Sequence, residues 1–487
     1  MEKNISKLKP ESVWIYFLEI TKIPRPSKQE GKIAKYLVDF ASKHKLACVQ
    51  DDTGNVLISK PATKGYQDRK SVCLQSHMDM VCEKNSEIEF DFEKDAIQAY
   101  VEDGWITAKG TTLGADDGIG IAASLAILAS NDIQHGPVEC IFTVDEETGL
   151  SGAFGLEPGF LKSEILLNLD SEDDGQIFIG CAGGKDTTAK LWFNKELVPD
   201  NTIPFKIEVK GLKGGHSGDD INKGLGNANK ILNRLIFTAS QLYGVRMHNF
   251  VGGNLRNAIA REAEAVLLVN KTNKDQFLKL VEEHNIDVKN ELKTTEPDLQ
   301  VIARKVEQPY FVINENAQQK LLEVLSACPH GVTEMSRDIP NFVETSTNLA
   351  AVKPVGDYFL ITTSQRSSVQ SALDDVVQSV SSVFKLAGAD VEHTDGYPGW
   401  NPNPESEILE VASQSYQRLF NTEPKVLAVH AGLECGLIGE KYPEMDMISF
   451  GPELQGVHSP DERINIQSVE KFWEWSLEIL KSIPKKK

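Results

Sequence analysis

Residues 71–81 read SVCLQSHMDMV. The run Ser71–Gln75 is of β type and leads straight into His77 and Asp79, two positions apart. In an extended chain the side chains at i and i+2 project to the same side, so imidazole and carboxylate can converge on one ion or one hydrogen-bonded contact at the strand end. A bare His-x-Asp pair is more often a mundane hydrogen-bonded pair than a metal site, so its surroundings decide. Working outwards, β-type runs recur at Val56–Ser59, Ile141–Val144 and Ile165–Leu169, and an apolar helical run, Ile119–Ala129, opens behind Asp116-Asp117-Gly118. Upstream, Val13, Phe17 and Ile20, then Ile33, Tyr36, Leu37 and Phe40, repeat with helical spacing around Pro24 and Pro26. Strands alternating with helices predict an α/β sheet.

At Gly180–Gly184 (GCAGG) the pattern changes. Alternating segments such as Phe205–Lys210 and Ala265–Asn270 now lie among helices at about 226–241 and 274–291, an α+β mixture. The run 395–405, DGYPGWNPNPE, is dense in Gly, Pro and Asn and reads as a linker. Beyond it α/β alternation resumes, through Lys425–His430 and Met447–Phe450, to a closing helix carrying Phe472, Trp475 and Leu477. The expected organisation is an α/β domain in two parts, 1–183 and 396–487, feeding one sheet and interrupted by an α+β insert, 184–395. The terminal KKK reads as a solvated tail.

Bulk numbers bound the function. The 487 residues include 51 Lys+Arg against 71 Asp+Glu, a net charge of −20, with 40% apolar and 25% charged residues. A chain this long folds without disulfides or a structural metal, so a bound metal would be functional. The acidic balance argues against a nucleic-acid partner, since phosphates would be repelled by the average surface field. Seven cysteines, odd in number and never spaced C-x-x-C, fit a reduced chain better than a disulfide framework. The amino-terminal residues have no apolar core of signal-peptide length, and no run approaches the roughly 18 apolar residues of a membrane span. The expectation is a cytoplasmic protein with no membrane partner.

Further acidic clusters follow the strand-like runs. In GADDGIG (114–120) two carboxylates precede a helix, where capping and the helix dipole already favour them, yet two acids beside glycines also suit a metal-binding turn. The pattern Gly118-x-Gly120-x-x-Ala123 could read as a dinucleotide fingerprint, but Asp116 and Asp117 would sit where a pyrophosphate needs positive potential. DEETG crowds Asp145, Glu146 and Glu147; three adjacent acids either splay into water or hold a cation, with one glutamate as ligand and its neighbour as general base. Asp170 ends the strand-like run in NLDSED, and His458 lies in GVHSPDERI. His77, Asp116, Glu147, Asp170 and His458 all fall at strand or helix ends, where open α/β sheets place their sites. Two imidazoles and three carboxylates suit zinc, and one shared carboxylate makes a dinuclear site. His44, His135, His248, His284 and His393 lack such surroundings and are expected mostly at the surface or as caps. His330 and His430 stay undecided, His430 being the better pocket candidate.

Together SHMDMV, GADDGIGIA, DEETGLSGA, NLDSED, GGHSG, GGNLRNAIARE, HAGLECG and HSPDERI, in that order between residues 76 and 464, resemble the dinuclear-zinc aminoacylase and peptidase superfamily. The resemblance is closest to its aminoacyl-histidine dipeptidase (Xaa-His dipeptidase, peptidase D) family. It implies a zinc-binding α/β domain with an inserted α+β lid, and two zinc ions per chain, with cobalt or manganese as substitutes. His77 and Asp170 would bind one ion, Glu147 and His458 the other, and Asp116 both. Asp79 would orient His77, and Glu146 would be the general base. His216 would stabilise an oxyanion, Asn257 and Arg366 would address the substrate carboxylate or amide, and Gly432 would line the pocket by its backbone; from residues alone, Gly214–Gly218 reads as a flexible loop and Arg366 as a helix-capping cation. The implied reaction is hydrolysis of dipeptides with a free amino terminus, Xaa-His and β-alanyl-histidine included, by a homodimer. The alternatives are an N-acyl amino-acid amidohydrolase and a non-catalytic metal-dependent binding protein on the same scaffold.

Overall fold

The computed structural model describes residues 5–486. They form two compact units, residues 5–180, 400–428 and 433–486 in the first, and 181–399 with 429–432 in the second. The sequence placed the junctions at 183/184 and 395/396. Residues Val429–Gly432 go with the second unit because the Ala182 N–H donates to the carbonyls of Val429 and Ala431, 3.0 and 3.1 Å away, and His430 Nε2 pairs with Ser346 Oγ at 2.7 Å.

In the first unit, helices α1 (Glu11–Ile20) and α2 (Gly31–His44) precede β1 (Ala47–Gln50), β2 (Val56–Lys60) and β3 (Val72–His77). Then come α3 (Ala115–Ala129), β4 (Val138–Thr143), β5 (Ile165–Asn168) and β6 (Gln176–Cys181). After the insertion follow β7 (Lys425–Val429), α4 (Glu434–Lys441), β8 (Asp446–Ser449) and α5 (Ile466–Ser482). The sheet order is β1-β2-β4-β3-β5-β8-β6-β7. Its centre, β4-β3-β5-β8, is parallel. Because β8 pairs with β5, chain from both sides of the insertion builds one sheet. Strands β3 and β5 are buried at every position, as a parallel sheet covered on both faces requires.

Strand β4 begins three residues before the predicted Ile141, since half-buried Glu139 interrupts the apolar run that marked it. In α3, Asp116 and Asp117 have non-helical backbone angles, so regular helix starts close to the predicted Ile119. Asp117 Oδ1 accepts the Gly120 N–H at 3.1 Å, so the helix's own acid takes an amide that a pyrophosphate would need. Along α5, Phe472 and Trp475 are buried and pack with Phe450, while Leu477 is half-buried and Ile479 and Leu480 complete the inner face.

The second unit carries a nine-stranded sheet with antiparallel ladders, whose order includes Thr202–Lys210, Ala263–Asn270, Arg246–Gly252, Val343–Val355, Tyr358–Ser367 and Gly183–Trp192 in succession. Helices Ala228–Tyr243, Lys274–Glu291, Glu315–Ala327 and Gln370–Leu386 share one apolar core with it, through Leu232, Phe277, Leu321 and Phe384 against Ile207, Leu267 and Phe359. This is the α+β arrangement expected of the insert.

Three expectations need correcting. His135 and His284 are buried, not superficial: each ring finds a backbone carbonyl, His135 Nδ1 on Gly136 at 2.6 Å and His284 Nε2 on Ile231 at 3.1 Å. The linker 395–405 is partly built into the fold, since Tyr397 exchanges backbone hydrogen bonds with Gly184 and Trp400 is buried. The basic tail is pinned: Lys485 pairs with Asp68 at 2.7 Å and Lys486 with Glu164 at 3.2 Å, while Lys487 lies outside the described residues. The seven cysteines are thiols. Among the described residues no helix is long and apolar enough to cross a membrane.

Candidate metal centre

Parallel strands all point their carboxyl ends to one edge of the sheet, and the chain uses that edge. His77 is the last residue of β3, Glu146 and Glu147 follow β4, Asp170 follows β5, and Asp116 stands at the entrance to α3. His458 comes from the loop ahead of α5 and takes a left-handed backbone conformation, φ 61°, uncommon for any residue but glycine. From these separate places the five side chains converge.

Asp116 is central. Its Oδ1 lies 2.9 Å from His77 Nε2, and its Oδ2 lies 3.2 Å from His458 Nε2. Asp170 Oδ1 is 3.2 Å from the same His77 nitrogen, and Glu147 Oε2 is 3.0 Å from the same His458 nitrogen. Two ligand groups result, His77-Asp116-Asp170 and Asp116-Glu147-His458, each able to offer one atom per residue within 4.8 Å of the others; His77-Glu146-Glu147 is a third such group. Glu147 Oε1 is buried with no hydrogen-bond partner among the described residues, which suits a cation and not a closed hydrogen-bonded cluster. Imidazoles and carboxylates without thiolate suit a divalent ion of the zinc, cobalt or manganese kind.

A second layer fixes this set. Asp79, fully buried, lies 3.4 Å from His77 Nδ1 and accepts the backbone N–H groups of Glu146 and Glu147 at 3.0 and 3.2 Å and the Ser27 hydroxyl at 2.8 Å. It therefore ties the imidazole to the glutamate turn. The buried Arg25 guanidinium donates to the carbonyls of Met78 (3.0 Å), Asp79 and Gly114, joining the His77 turn to the Asp116 turn. Glu462 accepts four successive amides, Leu113 and Gly114 on Oε2 at 2.7 and 3.0 Å, Ala115 and Asp116 on Oε1 at 2.7 and 3.4 Å. Beneath His77, Glu434 Oε2 accepts from Gln75 Nε2 and Thr143 Oγ1, both at 2.6 Å.

The electrostatics are those of acids crowded together in a buried place. Burial pushes Asp170 up to about 7, and repulsion from Asp116 and Glu147 adds to it. Glu146 is raised well above the carboxylate range by burial and then by Asp170 and Glu147. Burial also opposes ionisation of Asp79, but its bonds to His77 and the Glu146 N–H hold it down at about 2. His458 is carried up to about 11 by its bonds to Asp116 and Glu147. Protons retained on acids and imidazoles supply charge that divalent ions would supply instead.

The four expected substrate contacts lie in the second unit. Asn257 and Arg366 line one cavity of about 250 Å³ together with Arg256 and Tyr397. Gly432 abuts the Tyr397 ring, to which any Cβ at 432 would come within 2.8 Å. His216 is outside that lining: its N–H donates to Asp220 Oδ2 at 2.6 Å, and its Nδ1 accepts the Asp219 N–H at 3.3 Å. Arg366 is no helix cap; it sits in strand Tyr358–Ser367 opposite Gly184, 7% exposed. The Gly214–Gly218 loop is held at both ends, by the Ile259 N–H on the Gly215 carbonyl (2.8 Å) and the Ser217 N–H on the Asn257 carbonyl (2.8 Å). Sequence reasoning missed Arg25, Tyr397, Glu434 and Glu462. The last two stand inside HAGLECG and HSPDERI, so the motifs contained the signal without the role.

A sequence model of peptidase family M20/M25/M40 matches residues 73–482. The chain is 44% identical over 483 residues to the cytosol non-specific dipeptidase of Escherichia coli (strain K12), covering 99% of this chain and 100% of that one. The crystal structure of aminoacylhistidine dipeptidase from Vibrio alginolyticus resembles it with a TM-score of 0.92 at 43% identity, over 99% of each chain. Aminopeptidase PepT from Bacillus cereus ATCC 10987 shares the fold, with a TM-score of 0.58 at 18% identity over 98% and 99% of the two chains.

Proposed function

The chain belongs to peptidase family M20/M25/M40, and on that premise we propose that it is a cytoplasmic, two-zinc dipeptidase that cleaves dipeptides with a free amino terminus, Xaa-His among them. The observation that carries this reading is the division of Asp116, one oxygen toward His77 and Asp170 and the other toward His458 and Glu147. His77 and Asp170 would hold one ion, Glu147 and His458 the other, with Asp116 shared.

When bound, the two ions supply Lewis acidity toward the scissile carbonyl and acidify water at the site. The rest falls to the chain. Glu146, adjacent to the expected ligand Glu147 and half-buried among carboxylates, takes a proton from the attacking water on its carboxylate and passes it to the leaving amine. Asp79 orients His77 while its second role, accepting both glutamate amides, keeps that base in register with the ligands. His216 complements charge developing on the carbonyl oxygen. Asn257 and Arg366 receive the substrate's carboxylate, and the Gly432 backbone lines the pocket.

The test is zinc content measured together with cleavage of alanyl-histidine, β-alanyl-histidine and acetyl-histidine. Two equivalents of zinc per chain and cleavage of the free-amine dipeptides are expected. Cleavage confined to acetyl-histidine would make the chain an acyl amidohydrolase, and full turnover by chelator-stripped protein without added metal would refute the two-metal reading.

A further inference from the structure

We propose that Tyr397 determines specificity for a free carboxylate: its hydroxyl and the Arg366 guanidinium form a two-donor receptor for the substrate's carboxyl terminus. The proposal rests on the reading above that Arg366 receives that carboxylate.

Tyr397 lies in DGYPGWNPNPE, the run read as a linker, yet nothing about its placement is loose. Its N–H donates to the Gly184 carbonyl at 2.9 Å and its carbonyl accepts the Gly184 N–H at 3.0 Å. The ring is bracketed by glycine: a Cβ at Gly184 would stand 2.7 Å from its Cζ and hydroxyl oxygen, and one at Gly432 2.8 Å from Cε2. Both positions must lack a side chain for the ring to be where it is.

The chemistry at the hydroxyl is specific. Arg366 NH1 donates to the Tyr397 oxygen at 3.0 Å, so that oxygen is an acceptor and its own proton is directed elsewhere. Burial raises the phenol's pKa, which keeps the proton in place. Accepting from a cation polarises the O–H and strengthens it as a donor. Arg366 itself is 7% exposed and its Nε is buried without a partner among the described residues; the Asp219 carboxylate feels its charge but is itself paired with His216 Nδ1 at 3.2 Å. Asp186, the one acid lining the same cavity, is already held by Arg256 NH1 at 2.8 Å. The cavity of about 250 Å³ therefore presents a spare guanidinium and a spare hydroxyl side by side, the spacing that two oxygens of one carboxylate satisfy. A carboxamide would offer one oxygen and turn an NH2 against a donor.

The experiment uses zinc-loaded, full-length protein and the ratio of kcat/KM for alanyl-histidine over alanyl-histidinamide. Tyr397→Phe removes one donor and should lower that ratio about 10- to 100-fold, through a raised KM for the acid, while the amide, no longer set against that donor, binds as well or better. Gly184→Ala, which pushes the ring from its seat, should lower the ratio in the same way and serves should Tyr397→Phe fail to fold. Arg366→Gln should collapse it. If Arg366→Gln collapses the ratio and neither Tyr397→Phe nor Gly184→Ala lowers it, the tyrosine proposal is wrong and the arginine reading stands. If Arg366→Gln leaves it unchanged, the cavity does not take the carboxylate and both fail.

Discussion

Glu462→Gln changes one atom and should loosen the turn that carries Asp116. In the native side chain each carboxylate oxygen takes two successive amides, those of Leu113 and Gly114 on one and of Ala115 and Asp116 on the other. An amide keeps the shape but has one oxygen, so whichever way it lies its NH2 faces two N–H donors. Glu462 is 2% exposed, so water does not replace the lost acceptor. At about 1–3 kcal/mol for each buried donor left unpaired, the turn loses about 2–6 kcal/mol. Amide hydrogen exchange resolved to residues 113–116, in metal-free protein, should show protection falling by at least about 30-fold while distant strands such as β3 hold theirs. Protection within about threefold of the native value would refute the reasoning, because the four amides would then be held by something other than this carboxylate. Zinc affinity should fall in parallel, since the proposed ligand Asp116 ends the turn.

Other variants separate holding metal from using it. Glu146→Gln should keep two equivalents of zinc by metal analysis yet lose turnover by on the order of 10²–10⁴-fold, because it removes the proposed proton acceptor and leaves the proposed ligands intact. Asp116→Ala should lose metal and activity together, read by dialysis against chelator followed by zinc assay. Burial pushes Glu434 up to about 8 from an ordinary 4.5, and an acid raised by folding contributes stability that is complete below the lower value and lost as pH climbs through the upper one. Glu434→Gln cannot ionise, so in denaturant titrations of metal-free protein it should gain on the native chain between about pH 5 and pH 8.5, by on the order of 2–5 kcal/mol. A pH-independent difference would mean that Glu434 keeps one charge state in both forms.

What could be read from the sequence was what leaves a local pattern. Strands β3 and β5 are buried at every position because both faces are covered, and the candidate ligands stand where their apolar runs stop. Strand β4 was read short because Glu139 breaks its apolar run; its carboxylate leaves the sheet to accept the Lys162 and Ser163 amides. Partners far apart in the chain leave no such trace. Glu462 meets its amides across some 346–349 residues, and Arg25 reaches Gly114 across 89. The same blindness applies to His135 and His284, whose carbonyl partners satisfy them inside the protein. Tyr397 was hidden by company: glycines and prolines signal a turn, and they equally make room for a ring. Ligand roles and substrate contacts came from family resemblance, not from spacing.

The insertion orders events during synthesis. Strand β8 joins β5, but some 266 residues separate Gly180 from Asp446, so a ribosome working at about 5–20 residues per second adds β8 roughly 13–50 s after β6. The second unit is nearly continuous in sequence and can reach its own core first. Until β8 arrives the sheet can extend no further than β5, since β6 has only β8 and β7 as neighbours; four of the five expected ligands are by then synthesised and His458 is still to come. Tight metal capture must then be among the last acts of folding, and the nascent chain must carry the exposed edges of β5 and β6 until its final segment arrives.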